Sequence, residues 1–353
     1  MSTMPETQLL VTLGVDTHAD VHVAAALDHL GRELGTLSIA TTVSGFRELI
    51  AWASEFGVID RIGVEGTGSW GAGLARWLRD EGMVVVEVDR PNRRTRRRHG
   101  KSDTVDAIAA ARAVQSGEAT GTPKAANGDV EAIRVLRVAY RSAVKARTQA
   151  ANQLHALLVT APLELREQLR GLPMRGLVER CARLRPGDVP DSPTAITKYT
   201  LRRLARRFQQ LDEEAGELKA QMHRLIQRLA PTLLAEQGVS TITASALLVA
   251  AGDNPERLRS ESSFAHLCGV APLDASSGKQ QRHRLNRGGD RQANSALHTV
   301  AIVRMSHDAT TKSYVARRIS EGKTKRKTIR CLKRYLVRDI YRILVPIITP
   351  EGT

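Results

Sequence analysis

The sequence predicts an α/β fold plus α-helices, with a mixed sheet in the N-terminal third, a helical middle and a mainly helical C-terminal part. Three observations lead to this prediction. Apolar runs typical of strands lie between residues 8 and 88, two long segments in the middle repeat apolar residues with heptad spacing, and glycine or proline residues separate the segments. With 353 residues, of which 42% are hydrophobic, the chain is long enough for two or three domains with substantial cores.

The N-terminal third contains five candidate strands. They cover residues 8–15, 21–27, 33–40, 59–65 and 83–88, and helices are predicted over residues 46–55 and 70–81. Three consecutive strands followed by alternating helices and strands indicate a mixed sheet covered by helices. This order of elements is that of a ribonuclease-H-like fold.

Four acidic residues fall at the ends of these elements. Asp16 ends the first strand and Glu65 ends the fourth, while Asp103 and Asp106 begin a predicted helix with the i, i+3 spacing that puts both carboxylates on one face. Such residues can converge at one edge of the sheet. Clustered carboxylates repel one another, and hard divalent cations with oxygen ligands neutralise them. Two such cations can stabilise the attacking and leaving oxygens of a phosphoryl transfer.

Each acid also has a structural interpretation. Asp16 can be a turn former, and Asp103 can favour the start of its helix through the macrodipole, with Ser102 as N-cap. For any one residue the structural interpretation is favoured. The four residues together, each at a strand end or helix start in the right order, favour a metal site.

The charge balance points to a polyanionic partner. The chain has 53 Lys+Arg against 37 Asp+Glu, a formal net charge of +16. Basic residues concentrate before the helix at residue 103, in a Ser- and Gly-rich loop, and near residue 325, although a charge run can also be a solvated face. The predicted nucleic-acid contacts are Arg93, Arg94, Arg96, Arg97, Arg98, Lys279, Arg282, Arg284, Arg287, Lys325, Arg326 and Lys327. Because the sequence has only 4 Phe, 3 Trp and 5 Tyr, we expect binding mainly through phosphates.

Two long helices are predicted in the middle of the chain, over Asp129–Val159 and about residues 197–229. Their apolar residues keep a 3,4 spacing over three to four heptads, which is typical of a coiled coil. A proline-containing segment between them predicts a turn or hinge. The helices can pair within one chain or across a dimer, and an exposed zipper favours oligomerisation.

Several other classes of protein are excluded. Cys181, Cys268 and Cys331 are scattered, so a disulfide framework and a cysteine-based zinc site are not expected. No secretory signal is visible. The longest apolar stretch, residues 239–251, is too short and too polar to span a bilayer. We therefore expect a cytoplasmic protein with no membrane association.

The Ser276-Ser277-Gly278 sequence lies within the basic Ser- and Gly-rich loop. A serine beside cations that hold a phosphate can act as a nucleophile. The alternative is that these residues form a flexible turn. From spacing alone the turn is favoured.

Taken together, the motifs resemble a DEDD transposase of the insertion-sequence-110 group, whose members are RNA-guided serine recombinases. The resemblance rests on GVDTHAD, GVEGTG and KSDTVDAIAAAR in the N-terminal part, and on FAHLCGVAPLDASSGK followed by RGGDRQANSALH. It implies a RuvC-like DEDD catalytic domain over residues 1–125, a coiled-coil or oligomerisation region over 126–232 and a serine-bearing transposase domain over 233–353. The family's four acids correspond to Asp16, Glu65, Asp103 and Asp106, and its nucleophile to Ser277, with Ser276 close by.

The resemblance also implies a mechanism and partners. Mg²⁺, with Mn²⁺ able to substitute, would sit on the acids, and Ser277 would form a transient phosphoserine linkage with DNA. The expected partners are donor and target DNA, a structured guide RNA and further copies of the chain in a dimer or tetramer. Two alternatives remain: a stand-alone RuvC-like junction nuclease that uses water, and a non-enzymatic nucleic-acid-binding protein.

Overall fold

The chain divides into two compact units. The computed structural model describes residues 9–88, 102–189, 191–254, 258–276 and 283–348. The first unit consists of residues 1–128 and 251–260, and the second of residues 129–250 and 261–353. The three-part division into functional domains at residues 125 and 232 stays a prediction.

The first unit is built on a five-stranded mixed sheet. Its strands are β1 (Leu10–Thr17), β2 (Val21–Leu27), β3 (Glu33–Ala40), β4 (Val58–Glu65) and β5 (Val85–Val88). The strand order is β3-β2-β1-β4-β5. β1 pairs antiparallel with β2 and β2 with β3, whereas β1 pairs parallel with β4 and β4 with β5. The predicted mixed sheet is therefore confirmed, with β1 as its central strand and β4 beside it.

Within the described part of this unit, three helices accompany the sheet: α1 (Val43–Ser54), α2 (Ala72–Asp80) and α3 (Asp103–Gln115). α1 begins three residues before the predicted start because Thr42 is its N-cap, with a side chain that accepts a hydrogen bond from the Gly45 amide at 3.2 Å. Leu13, Ile62 and Leu74 are fully buried in the core that the sheet forms with its helices.

A short later segment of the chain also folds with the first unit. Asn254 is buried, and its side chain accepts a hydrogen bond from the Ala125 amide at 3.0 Å and donates one to the Pro123 carbonyl at 3.1 Å. These two hydrogen bonds tie the later segment to the backbone of residues 123–125.

The second unit is mainly helical. Its helices are α4 (Asp129–Val159), α5 (Leu163–Leu169), α6 (Met174–Ala182), α7 (Pro193–Leu229), α8 (Pro231–Ala235), α9 (Thr241–Ala251), α10 (Glu261–Leu267), α11 (Arg291–His307), α12 (Ala309–Ser320) and α13 (Lys325–Ile348). Two three-residue strands, β6 (Pro272–Asp274) and β7 (His283–Leu285), pair antiparallel. Among the described residues no helix is long and apolar enough to cross a membrane.

The two long helices pair antiparallel within one chain. The Arg228 side chain donates to Asp129 at 2.6 Å near one end of the pair, and Arg147 is bonded to Asp212 further along. Near the other end Leu154 and Leu201 belong to one buried cluster. The apolar stripe predicted from the heptad spacing is thus covered, at least in part, by the chain itself, and association between copies stays a prediction.

A buried arginine connects α4 to the C-terminal helices. Arg137 Nη1 donates to the Ile242 carbonyl at 2.9 Å and to Ser245 Oγ at 2.7 Å, and Nη2 donates to Gln292 Oε1 at 3.3 Å. Burial lowers the pKa of Arg137, and nearby Arg141 lowers it further. The Arg137 guanidinium therefore connects α4 with α9 and with the start of α11. These hydrogen bonds help to position α11, which is the helix that follows β7.

Candidate active site

β1 and β4 end side by side at the edge where two of the predicted acids lie. Val15 pairs with Val64 in the parallel ladder, so Asp16 and Glu65 are the next residues on neighbouring strands. Thr17 Oγ1 donates to the Glu65 carbonyl oxygen at 2.8 Å and ties the two strand ends together. Asp16 and Glu65 are only 7% and 8% exposed. The structure therefore brings these two predicted residues to one edge of the sheet.

Helix α3 rests directly on β1. A Cβ added to Gly14 would lie 2.1 Å from the Ala107 carbonyl oxygen and 2.2 Å from the Ala111 amide nitrogen, so only glycine allows this approach. Residues two apart on a strand share a face, so Asp16 lies on the same face as Gly14. Asp106, which directly precedes Ala107, is 4% exposed. The close packing thus holds the start of α3 on the face of the sheet that bears Asp16.

The first turn of α3 carries the other two predicted acids. Ser102 is its N-cap, with a side chain that accepts a hydrogen bond from the Val105 amide at 3.2 Å. Asp103 is exposed and Asp106 is buried. The positive end of the helix dipole favours negative charge here, so a role for Asp103 in starting the helix and a role in binding a cation are compatible.

His18 links two of the acids. Its Nδ1 lies 3.9 Å from Asp16 Oδ2, and its Nε2 lies 3.8 Å from Asp103 Oδ1. Asp16, His18 and Asp103 each offer a ligand atom within 4.8 Å of the others. Glu65 and Asp106 are outside this group of three. His18 was not among the predicted site residues. Its position two residues after Asp16, directly after β1, is the signal in the sequence that points to it.

A second histidine supports the turn that contains His18. The His18 amide donates to His22 Nδ1 at 3.3 Å, and the buried His22 ring stacks on Phe46 with a centroid distance of 6.0 Å. Burial lowers the pKa of His22, and the neighbouring His18 adds to the effect. His22 therefore acts as a neutral acceptor that fixes the backbone at His18.

The donor set fits a hard divalent cation. It consists of carboxylate oxygens with one imidazole at its edge, and such oxygen ligands suit Mg²⁺ and Mn²⁺. Three of the predicted acids, Asp16, Glu65 and Asp106, are buried, and buried carboxylates require compensating positive charge. The chemistry of the site is therefore compatible with binding of a divalent metal.

Trp70 is an exposed aromatic residue near the end of β4 that was not among the predicted site residues. Trp70 is 62% exposed and lies in the turn between β4 and α2. The turn is held by hydrogen bonds from the Ser69 and Gly71 amides to the Gly66 carbonyl, at 2.8 and 3.1 Å. A Cβ added to Gly71 would lie 2.7 Å from the Glu65 carbonyl oxygen, so the turn folds back against the end of β4. A single exposed tryptophan has no periodicity by which sequence reasoning could find it.

The predicted nucleophile falls in sequence between β6 and β7. Several predicted site residues lie outside the described residues, namely Ser277, Lys279, Arg282, Arg93, Arg94, Arg96, Arg97 and Arg98. Their predicted roles stay predictions.

The serine next to the predicted nucleophile is described. The Ser276 hydroxyl donates to Asp274 Oδ1 at 2.5 Å, and its amide donates to the same oxygen at 2.9 Å. These hydrogen bonds, the one from the hydroxyl first, lower the pKa of the Asp274 carboxyl. A carboxyl with a lowered pKa is a weak proton acceptor, so the pair resembles an Asx turn that ends β6 more than an activated nucleophile with its base.

The remaining predicted basic contacts are all exposed and all belong to the second unit. Arg284 lies on β7 and Arg287 follows it, while Lys325, Arg326 and Lys327 form the start of α13.

Two family models match the chain. Residues 13–161 match the model for DEDD transposases of IS110 elements, described as "Transposase", and residues 230–316 match a model described as "Transposase IS116/IS110/IS902 family". The first match contains the four predicted acids, and the second contains Ser277. No curated protein matches the chain.

Proposed function

The chain belongs to the IS110 family of DEDD transposases and is a DNA-recombining enzyme, and from this premise we propose that it joins strands through a phosphoserine intermediate. The observation that carries the proposal is the meeting of Asp16, His18 and Asp103 at the carboxyl edge of β1. Glu65 and Asp106 are buried beside it. This arrangement supplies a site for divalent cations on a protein whose family acts on DNA.

The scaffold of this site is a ribonuclease-H-like, RuvC-like sheet in our proposal. The strand order β3-β2-β1-β4-β5, with three antiparallel strands followed by two parallel ones, supports it. In this fold the ends of the two central strands provide the carboxylates, as Asp16 and Glu65 do here, and a helix packed on the sheet provides the rest.

Mg²⁺ is the proposed metal, with Mn²⁺ as a substitute. Asp16, Glu65, Asp103 and Asp106 are the residues that would hold it, and His18 would orient Asp16 and Asp103. When bound, the metal would supply Lewis-acid stabilisation of the charge that develops on the phosphate oxygens. The α3 N-terminus stabilises the carboxylates, and the Gly14 contact keeps them on the sheet.

Ser277 is the proposed nucleophile. Its Oγ forms a bond to the phosphorus of a DNA phosphodiester as the bond from phosphorus to the deoxyribose oxygen breaks. The serine proton ends on that oxygen, which becomes a free hydroxyl. A hydroxyl of the partner strand then attacks the phosphoserine and returns the proton to Ser277. The number of phosphodiester bonds is conserved, so no ATP is needed.

The guide RNA and the oligomer complete the proposal. Base pairing with a structured RNA would choose donor and target DNA, which suits a chain with few aromatic residues and a net charge of +16. The acids and Ser277 belong to separate compact units, so a dimer or tetramer could combine the acids of one copy with the serine of another.

Strand exchange on plasmids that carry donor and target sites tests the function. Asp16→Asn should lower the rate roughly a hundredfold or more, because it removes a charged ligand. Asp20→Asn, at an exposed position just after β1, is the matched control and should retain activity. Excess chelator should abolish exchange. Activity of Asp16→Asn at the rate of the control would contradict the proposal.

A further inference from the structure

A cavity of about 810 Å³ lies in the second unit between the β6–β7 pair and the first half of α13. It is lined by the basic side chains Arg284, Lys323, Lys327, Arg330, Lys333 and Arg334, and its described lining contains no carboxylate. A surface that only confers solubility mixes both signs of charge. The concentration of cations therefore indicates an anionic ligand.

The lining also offers an apolar and aromatic surface. Val270, Pro272 and Leu285 contribute to it, together with Tyr335, which is 46% exposed. The Tyr335 ring meets Tyr314 edge-on at a centroid distance of 5.7 Å. Cations and an aromatic ring in one cavity match the two halves of a nucleotide, its phosphate and its base.

Two of the cations are held by neighbouring side chains before any ligand binds. Arg334 is bonded to Glu261, a carboxylate that does not line the cavity. Lys333 Nζ donates to Asn294 Oδ1 at 2.7 Å, and the Asn294 amide donates to the carbonyls of Cys268 and Gly269 at 3.1 and 2.9 Å. Burial lowers the pKa of Lys333, and the charge of Arg330 lowers it further. Like charges held together repel one another, and an anion in the cavity would relieve this repulsion.

We propose that this cavity binds an unpaired nucleotide of the DNA strand on which Ser277 acts, with its phosphate on the cations and its base against Tyr335. The choice of a DNA strand rests on the proposed function. The volume lies within the roughly 300–1,000 Å³ of small-ligand sites and is too small for a duplex. β6 and β7 both contribute to the lining of the cavity, and Ser277 lies between these two β-strands in the sequence.

Two double variants of α13 distinguish binding in this cavity from general electrostatic attraction between the protein and DNA. Lys327→Gln with Arg330→Gln removes two lining charges, whereas Lys325→Gln with Arg326→Gln removes two exposed charges that do not line the cavity. The full-length protein is titrated against fluorescein-labelled octathymidylate, and anisotropy is measured. The lining pair should weaken binding about tenfold or more, and the control pair about threefold or less. Equal losses would overturn the proposal.

The contact with the base has its own test. Tyr335→Ala should weaken binding of octathymidylate about fivefold or more, and Tyr335→Phe should restore it, because the phenyl ring also stacks. An abasic octamer should bind both variants and the parent protein equally. If Tyr335→Ala weakens binding of octathymidylate and of the abasic octamer equally, the contact with the base is overturned. The double variant of Lys327 and Arg330 tests the choice of DNA. If it weakens binding of octauridylate more than binding of octathymidylate, the assignment to DNA is overturned.

The titrations are carried out in chelator and repeated with Ser277→Ala, so they do not depend on catalysis. Strand exchange by Ser277→Ala at the parent rate, with the difference between the two double variants intact, would count against the serine mechanism alone. Thermal unfolding followed by circular dichroism verifies that each variant is folded. If the lining pair unfolds, Lys327→Gln alone against Lys325→Gln alone gives the same comparison.

Discussion

Gly14 on β1 lies directly opposite Gly63 on β4 in the parallel ladder, and α3 packs on both. A Cβ added to Gly63 would lie 2.6 Å from Val114 Cγ2. Two glycines side by side on the central strands let the helix approach the sheet more closely than any side chain would allow. Because Asp103 and Asp106 begin that helix, this contact sets the distance between them and the acids that end β1 and β4.

Gly14→Ala should destabilise the first unit by about 1–3 kcal/mol, since the methyl group collides with backbone atoms that cannot rotate away. All three tryptophans, Trp52, Trp70 and Trp77, belong to this unit, so urea unfolding followed by tryptophan fluorescence reports on it alone. Gly73→Ala is the control, because an added Cβ there meets nothing within 4 Å. Equal unfolding midpoints for the two variants would refute the packing argument.

Arg137→Met should destabilise the second unit by roughly 2–4 kcal/mol, because it leaves the buried Ser245 hydroxyl and the partly buried Gln292 side-chain oxygen without this donor. The readout is urea unfolding followed by helical circular dichroism. Arg141→Met, one turn along α4 and exposed, should have little effect. A shift in the tryptophan fluorescence transition, without a shift in the circular dichroism transition, would contradict this prediction. It would show that Arg137 stabilises the first unit and not the second.

His18→Ala should weaken Mn²⁺ binding about tenfold, because His18 contacts two of the proposed ligands, Asp16 and Asp103. Free Mn²⁺ is measured by electron paramagnetic resonance during a titration. His29→Ala removes an exposed histidine from another turn and serves as the control. Unchanged Mn²⁺ affinity in His18→Ala would exclude this histidine from the metal site.

Trp70 should report on DNA bound at the carboxylate edge. Trp52 and Trp77 are partly buried against the core, whereas Trp70 is 62% exposed. Addition of DNA in chelator should therefore change the fluorescence of the parent protein and leave that of Trp70→Phe nearly unchanged. The same change in both proteins would show that DNA binds elsewhere.

Local patterns sufficed to predict the five strands of the N-terminal sheet, because apolar runs bounded by glycine and turn residues are typical of buried strands. The short, exposed strands β6 and β7 have no such pattern and were not predicted. β3 has the predicted bounds, and the long helix α4 does too. α7 begins at Pro193, before the predicted start, because proline is well suited to the first turn of a helix and Ser192 caps it. α5 and α6 span only seven and nine residues and were missed in a segment where the prolines dominated the pattern.

The sequence was enough to predict which acidic residues belong to the candidate site, but not how their side chains are arranged in space. Asp16 and Glu65 end strands, and that position can be read from the sequence. The contacts of His18 with Asp103, and of Gly14 with Ala107, join residues far apart in the chain and depend on strand register and helix packing. The same is true of the cationic cavity, which β6, β7 and α13 form together.

Trapping of the covalent protein–DNA adduct tests the central claim most directly. A donor–target substrate that blocks the second transfer is incubated with the protein and Mg²⁺, and the modified peptide is identified by mass spectrometry. The adduct should map to Ser277, persist in Ser276→Ala and disappear in Ser277→Ala and in Asp16→Asn. Strand exchange by Ser277→Ala at the parent rate, or an adduct on another residue, would contradict the account.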